Sequence, residues 1–122
     1  MAVEGFSVEV DGDPERAGAD PRPGSAGPTV VTVSGDVDLA AADALWNVLD
    51  RYVAPGATVV VDCSQVAFLD SMGLRTLIRA QQKADGSGAR LTLAAPSEAV
   101  LRVLHLAGVK ELFVLDLTGS GS

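Results

Sequence analysis

The sequence predicts an α/β domain: a mostly parallel sheet with an antiparallel hairpin at its N-terminus and three to four helices. Three observations predict it. From Thr29 onward, short β-branched runs alternate with stretches whose apolar residues recur at helical spacing, and that alternation implies parallel strands joined by helical crossovers. Ahead of that region, Phe6-Ser7-Val8-Glu9-Val10 alternates apolar and polar like a half-exposed strand, and a linker rather than a helix follows it. At 122 residues the chain is of single-domain size, large enough to bury about two-thirds of its unfolded surface without staples.

The elements follow in order. After the first strand, Asp11 to Pro28 holds four of the six prolines together with Gly12, Gly18, Gly24 and Gly27. A segment with so few large apolar side chains cannot bury enough surface to order itself, so a mobile loop between two strands is expected. Val30 to Val33 is the next strand. Leu45, Val48, Leu49, Tyr52 and Val53 then recur at helical spacing, with Asp38 as N-cap and Pro55-Gly56 as the break. Val59-Val60-Val61 is a β-branched run of the sort buried on both faces of a parallel sheet. A second helix begins at Ser71, with Leu74, Leu77 and Ile78 on its inner stripe and Arg75, Arg79 and Gln82 on its outer one. Asp85-Gly86-Ser87-Gly88 terminates it. Arg90 to Ala94 is a strand, and Pro96-Ser97 opens a third helix whose Val100, Leu101, Val103 and Leu104 pack inward. Gly108 lies just past its end, and Leu112 to Leu115 is the last strand. One domain is therefore expected over residues 1–117, with a flexible loop at 11–28 and a frayed tail at 118–122.

Composition excludes several function classes. No apolar run approaches the ~20 residues that span a bilayer, and Met1-Ala2-Val3-Glu4-Gly5 lacks the features of an export signal, so a cytoplasmic protein with no membrane partner is expected. A net charge of -7 disfavours nucleic acid and anionic lipid, which reward a basic surface, and favours a protein partner or a small ligand. The same charge also serves solubility. The single cysteine, Cys63, can make neither an internal disulfide nor a zinc site, and its place at the end of a buried strand makes it inert. No cofactor or metal is expected, and oligomeric state is left open.

Strand C-terminal ends are where such folds put their sites. Here those ends carry Gly35-Asp36-Val37-Asp38 and, after the next strand, Asp62-Cys63-Ser64 leading to Asp70-Ser71-Met72-Gly73-Leu74, so both loops can share one face. Ser71 stands at the mouth of the second helix, where its hydroxyl is placed to cap, worth about 1 kcal/mol, and where unpaired N–H groups and the helix dipole favour a negative group. A phosphate there brings about -1.5 to -2 charge units beside Asp38 and Asp70. Gly73 either lets a partner's backbone approach Ser71 or simply packs. Met72 is either an adaptable surface contact or a core filler. Arg75 and Arg79, one turn apart, can meet an acidic partner and are equally what a solvated helix face presents.

Three stretches together carry a family resemblance: Gly35-Asp36-Val37-Asp38, Asp70-Ser71-Met72-Gly73-Leu74, and Leu106-Ala107-Gly108-Val109 with the strand after it. In order and spacing the chain resembles the STAS domain, specifically the free-standing anti-sigma factor antagonists of bacterial partner-switching systems. The resemblance implies a non-catalytic signalling protein whose unphosphorylated form binds an anti-sigma factor and frees a sigma factor. It implies that the anti-sigma partner is itself a serine kinase using ATP and magnesium, that Ser71 is the acceptor, and that a serine phosphatase restores the active form. Asp38 would support phosphorylation and partner contact. The expected partner face comprises Asp36, Asp38, Asp70, Ser71, Met72, Gly73, Leu74, Arg75 and Arg79. Met72 replaces the second hydroxyl residue of many family members, which leaves Ser71 as the acceptor; the long 11–28 segment departs from the family's short first turn.

Other classes fit less well. Ser71 as a nucleophile with His105, the lone histidine, lacks the Gly-x-Ser-x-Gly elbow, and His105 falls on the polar side of the third helix. An aspartate-phosphorylated receiver built on Asp62, with Asp36 and Asp38 at a divalent ion, lacks an acidic pair after the first strand and a lysine in the right place, since Lys110 precedes the last strand. A third alternative keeps the STAS fold as an accessory subunit of a lipid-transport complex or a stress-signalling assembly.

Overall fold

A computed structural model describes Ala2–Val3 as backbone and residues 5–12 and 27–117 in full; residues 13–26 of the expected loop and the expected tail at 118–122 lie outside the described residues. The chain runs β1 (Ala2–Val3), β2 (Phe6–Asp11), β3 (Thr29–Val37), α1 (Leu39–Tyr52), β4 (Thr58–Leu69), α2 (Ser71–Ser87), β5 (Arg90–Ala94), α3 (Glu98–Ala107), a 3₁₀ turn (Lys110–Leu112) and β6 (Val114–Asp116). One six-stranded sheet takes the strands in sequence order. β1–β2 and β2–β3 are antiparallel, and every later pair is parallel. The predicted class and its N-terminal hairpin are thus present, with β1 as an additional short strand and the last strand at Val114–Asp116 where Leu112 to Leu115 was expected, Leu112 closing the 3₁₀ turn.

Crossovers of one hand that always step to the next strand lay their helices on the same face of the sheet. On that face Phe6, Val8, Val31, Val33, Val59, Val61, Cys63, Leu91 and Leu93 are buried against Leu45, Leu49, Leu77, Ala80, Val100 and Leu104 of the helices. The sequential strand order corrects the expectation for Val59-Val60-Val61. Val59 and Val61 enter the core, whereas Val60 alternates to the other face and is only half-buried, in a row with Val30 and Thr92. Burial on both faces needs helices on both sides, and this order sends them to one. A gap between Leu45, Val61, Leu77 and Val100 measures about 10 Å³, at the lower limit for one water, and is not a ligand chamber.

The helix ends follow from their caps. Asp38 caps α1 by accepting from Ala41 N, and Ser97 caps α3 by accepting from Val100 N while its hydroxyl donates to Val66 O at 2.7 Å. Asp85, Gly86 and Ser87, expected as terminators, continue α2, which ends at the left-handed Gly88. Two contacts clamp α1 to α2 outside the core: Lys83 Nζ lies 2.5 Å from Asp50 Oδ1, and the Arg79 guanidinium stacks 3.9 Å over the Trp46 ring. Cys63 is buried with its thiol against Val61 O, and burial, aided by the Asp62 charge, pushes its pKa up to about 12.

Candidate functional site

The site forms where β3 and β4 end and α1 and α2 begin. Val37 and Leu69 pair in parallel register as the last rungs of these strands, and Asp70 N then donates to Val37 O at 3.1 Å. The two loops predicted to share a face are therefore bonded through their backbones. Register shifts between Thr32 and Ser34, and again at Gly35–Asp36, each set one extra residue of β4 against β3, so β4 is the bulged strand and its facing changes phase on the way to this junction. Gly35 lets β3 pass close to Gly5, just ahead of β2. Its φ is +87°, and a Cβ there would stand 2.0 Å from Gly5 O, the oxygen that accepts from Asp36 N at 2.7 Å.

Asp70, not Ser71, caps α2. Its Oδ1 accepts from Met72 N and Gly73 N at 2.9 Å each, and its Oδ2 accepts from Leu39 N, the first residue of α1, at 3.2 Å. One carboxylate thus serves the N-termini of both helices. The expectation that Ser71 caps the helix is corrected, as is that of unpaired amides at Met72 and Gly73: an Asp side chain also accepts from N2 and N3 donors and sits one residue earlier, so it takes the position. Ser71 becomes the first residue of α2, exposed and with its hydroxyl outside the capping network.

The other predicted positions divide. Asp36, Met72 and Arg75 are exposed, and Asp38 is half-buried beneath them as the α1 cap. Gly73 is buried; a Cβ there would meet Val37 O at 2.4 Å and Leu69 Cδ1 at 2.7 Å, so its missing side chain admits β3 and β4, not a partner. Leu74 turns into the core. Arg79 is exposed but committed to Trp46. His105 lies on the exposed side of α3, and among the described residues no group of His, Cys, Asp and Glu is arranged to hold a metal.

Two residues that sequence reasoning did not single out complete the site. Leu39 is 67% exposed, Phe68 50% and Met72 37%. Leu39 and Met72 both donate backbone N–H to Asp70, and Phe68 precedes it by two residues and pairs opposite Asp36, so all three lie on the segments that meet at the Asp70–Ser71 junction. Phe68 escaped because the inward phase of β4 breaks after Cys63: buried residues fall at 59, 61 and 63, then at 66 and 69. The signal for Leu39 was its place immediately after the Asp38 cap, a first-turn position that the core stripe of α1 does not use.

A six-stranded sheet with all helices on one face and an exposed serine where two strand ends meet two helix starts defines a class of small α/β domain. The family model described as "Mlab, STAS domain" matches residues 23–117, and the chain belongs to the STAS domain family. The anti-sigma-F factor antagonist RsfB of Mycobacterium tuberculosis is 33% identical over 93 residues, which cover 75% of each chain. Among solved structures, an anti-sigma factor antagonist from Mycobacterium paratuberculosis superposes with a TM-score of 0.71 at 29% identity, over 94% of this chain and 88% of that one. The anti-sigma factor antagonist SpoIIAA in its unphosphorylated form shares the fold, with a TM-score of 0.62 at 16% identity over 90% of this chain and 86% of that one.

Proposed function

We propose that the chain is an anti-sigma factor antagonist: unphosphorylated, it binds an anti-sigma factor and so frees a sigma factor, and phosphorylation of Ser71 by that partner, acting as a serine kinase, ends the binding. The observation that carries the reading is the placement of Ser71, exposed and outside the capping network, where segments bearing the exposed apolar residues Leu39, Phe68 and Met72 meet. Relatives named as anti-sigma factor antagonists support it. A serine phosphatase reverses the modification, ATP and magnesium belong to the kinase, and the protein itself is a non-catalytic cytoplasmic component. Among the described residues no helix is long and apolar enough to cross a membrane.

The site gives the switch its energetics. Because Ser71 is not the cap, its phosphate does not disrupt the start of α2; it adds about -1.5 to -2 charge units to a face already carrying Asp36 and Asp70. Repulsion at the interface that removes roughly 3 kcal/mol weakens binding more than a hundredfold. The test is intact mass of wild type and Ser71→Ala after incubation with Mg-ATP and lysate of the source cells, both proteins verified as folded by circular dichroism. One phosphate on wild type and none on the variant is the expected result. A phosphate on both removes Ser71 as the acceptor, and none on either, with stable co-purification of a membrane ATPase, favours the accessory-subunit role instead.

A further inference from the structure

We infer that Arg75 is the internal receiver of a phosphate on Ser71, an assignment that rests on the reading of Ser71 as acceptor. A phosphate at a helix start is ordinarily met by backbone amides with no partner. Here the amides that follow Ser71 are taken: Met72 N and Gly73 N donate to Asp70 Oδ1, and Leu74 N donates to Asp70 O at 2.9 Å. Of the first-turn donors only the amide of Ser71 itself is left to a phosphate there, beside the Asp70 carboxylate, and a compensating full charge comes from a side chain.

Arg75 meets that need by position. Ser71 and Arg75 are four residues apart on α2 and both exposed, which sets their Cβ atoms about 5–6 Å apart on one face, with the anionic group N-terminal to the cation as i,i+4 pairs prefer. A guanidinium offers the forked donors that phosphate oxygens accept best. The remaining cations of α2 are committed elsewhere, Arg79 over the Trp46 ring at 3.9 Å and Lys83 on Asp50. Asp36 and Asp38 ahead of α1, Asp43 within it, and Asp70 are the charged groups on the neighbouring elements around the start of α2, and all are acidic. Phosphorylation then alters the face twice, adding negative charge and withdrawing an exposed guanidinium from any partner.

The test uses the full chain with phosphoserine introduced at position 71 during translation, so that no kinase is needed, and follows the ³¹P shift against pH. In Arg75→Ala the second phosphate pKa is expected roughly half a unit to one unit above that of the parent phosphoprotein. Arg75→Lys should recover most of the difference, and Arg79→Ala should leave the titration in place. Superimposable titrations of Arg75→Ala and the parent would overturn the assignment, and so would an equal rise in Arg79→Ala, which would indicate a diffuse charge effect. Binding of the same phosphoprotein to the anti-sigma partner is a separate readout: undiminished binding sinks the switch reading while leaving the Arg75 titration to stand or fall alone.

Discussion

At Asp70 a single carboxylate caps α2 and also takes the first amide of α1, and its neighbour Ser71 is thereby left outside the cap. Removing the carboxylate in Asp70→Ala deprives Met72 N and Gly73 N of their acceptor and unties Leu39 N, so unfolding by urea should show a loss of about 1–3 kcal/mol. Ser71→Ala, outside the cap, should stay within about 0.5 kcal/mol of wild type in the same assay. Equal losses in the two variants would return the cap to Ser71. Sequence pattern put the cap on Ser71 where the structure has it on Asp70, because both Asp and Ser are good N-caps and the helix start is uncertain by a residue. Cys63 was legible from its strand position alone, and its buried thiol has a pH consequence. With a folded pKa near 12 against an ordinary 9.0, the folded state keeps its proton while the unfolded state loses it. Stability should therefore fall as pH rises above about 9, by at most about 1.4 kcal/mol per unit until the folded pKa is reached. The urea midpoint of Cys63→Ala measured from pH 8 to 11 should lack that component of the slope; identical slopes in both proteins would refute it.

Within α2, two glycines of one helix should respond in opposite directions. Gly73 sits where a Cβ would press on Val37 O at 2.4 Å, a backbone oxygen that cannot move aside without disturbing the Val37–Asp70 bond. Gly86 has open space around it. Alanine is the better helix former by about 1 kcal/mol at either position, so Gly86→Ala should raise stability by up to that amount. Gly73→Ala should lower it by about 2 kcal/mol or more, because overpacking exceeds the propensity gain. Thermal melts of the two variants decide the matter, and a stabilised Gly73→Ala would show the first turn of α2 to be loosely packed. The elements themselves were largely readable, since the inner stripes at Leu45–Leu49, Leu74–Leu77 and Val100–Leu104 are unbroken. The facing of Val60 was not, because a β-branched run reads alike whether one side or both is covered, and only strand order tells them apart.

Across the whole molecule, the helical layer and the core lie on one face of the sheet, and the proposed switch lies at the C-terminal ends of its two central strands, where the helices start. Surface chemistry at that end can change without touching the core. The protein carries a net charge of -7, and this end of the sheet itself presents Asp36 and Asp70, so charge favours a basic surface on the proposed anti-sigma partner and acts mainly on the rate of encounter. Affinity has to come from groups that leave water on binding, and the exposed apolar ones beside Ser71 are Leu39, Phe68 and Met72. Leu39→Ala and Phe68→Ala should each weaken binding of the unphosphorylated protein about tenfold or more, chiefly through faster dissociation, with the loss persisting at high salt. Asp36→Asn should instead slow association at low salt and matter little at high salt. Surface plasmon resonance at two ionic strengths separates the two patterns. Since both apolar side chains are at least half exposed in the free protein, their removal should leave the thermal midpoint nearly unchanged. Undiminished affinity in Leu39→Ala and Phe68→Ala alike would move the docking face away from the Asp70–Ser71 junction.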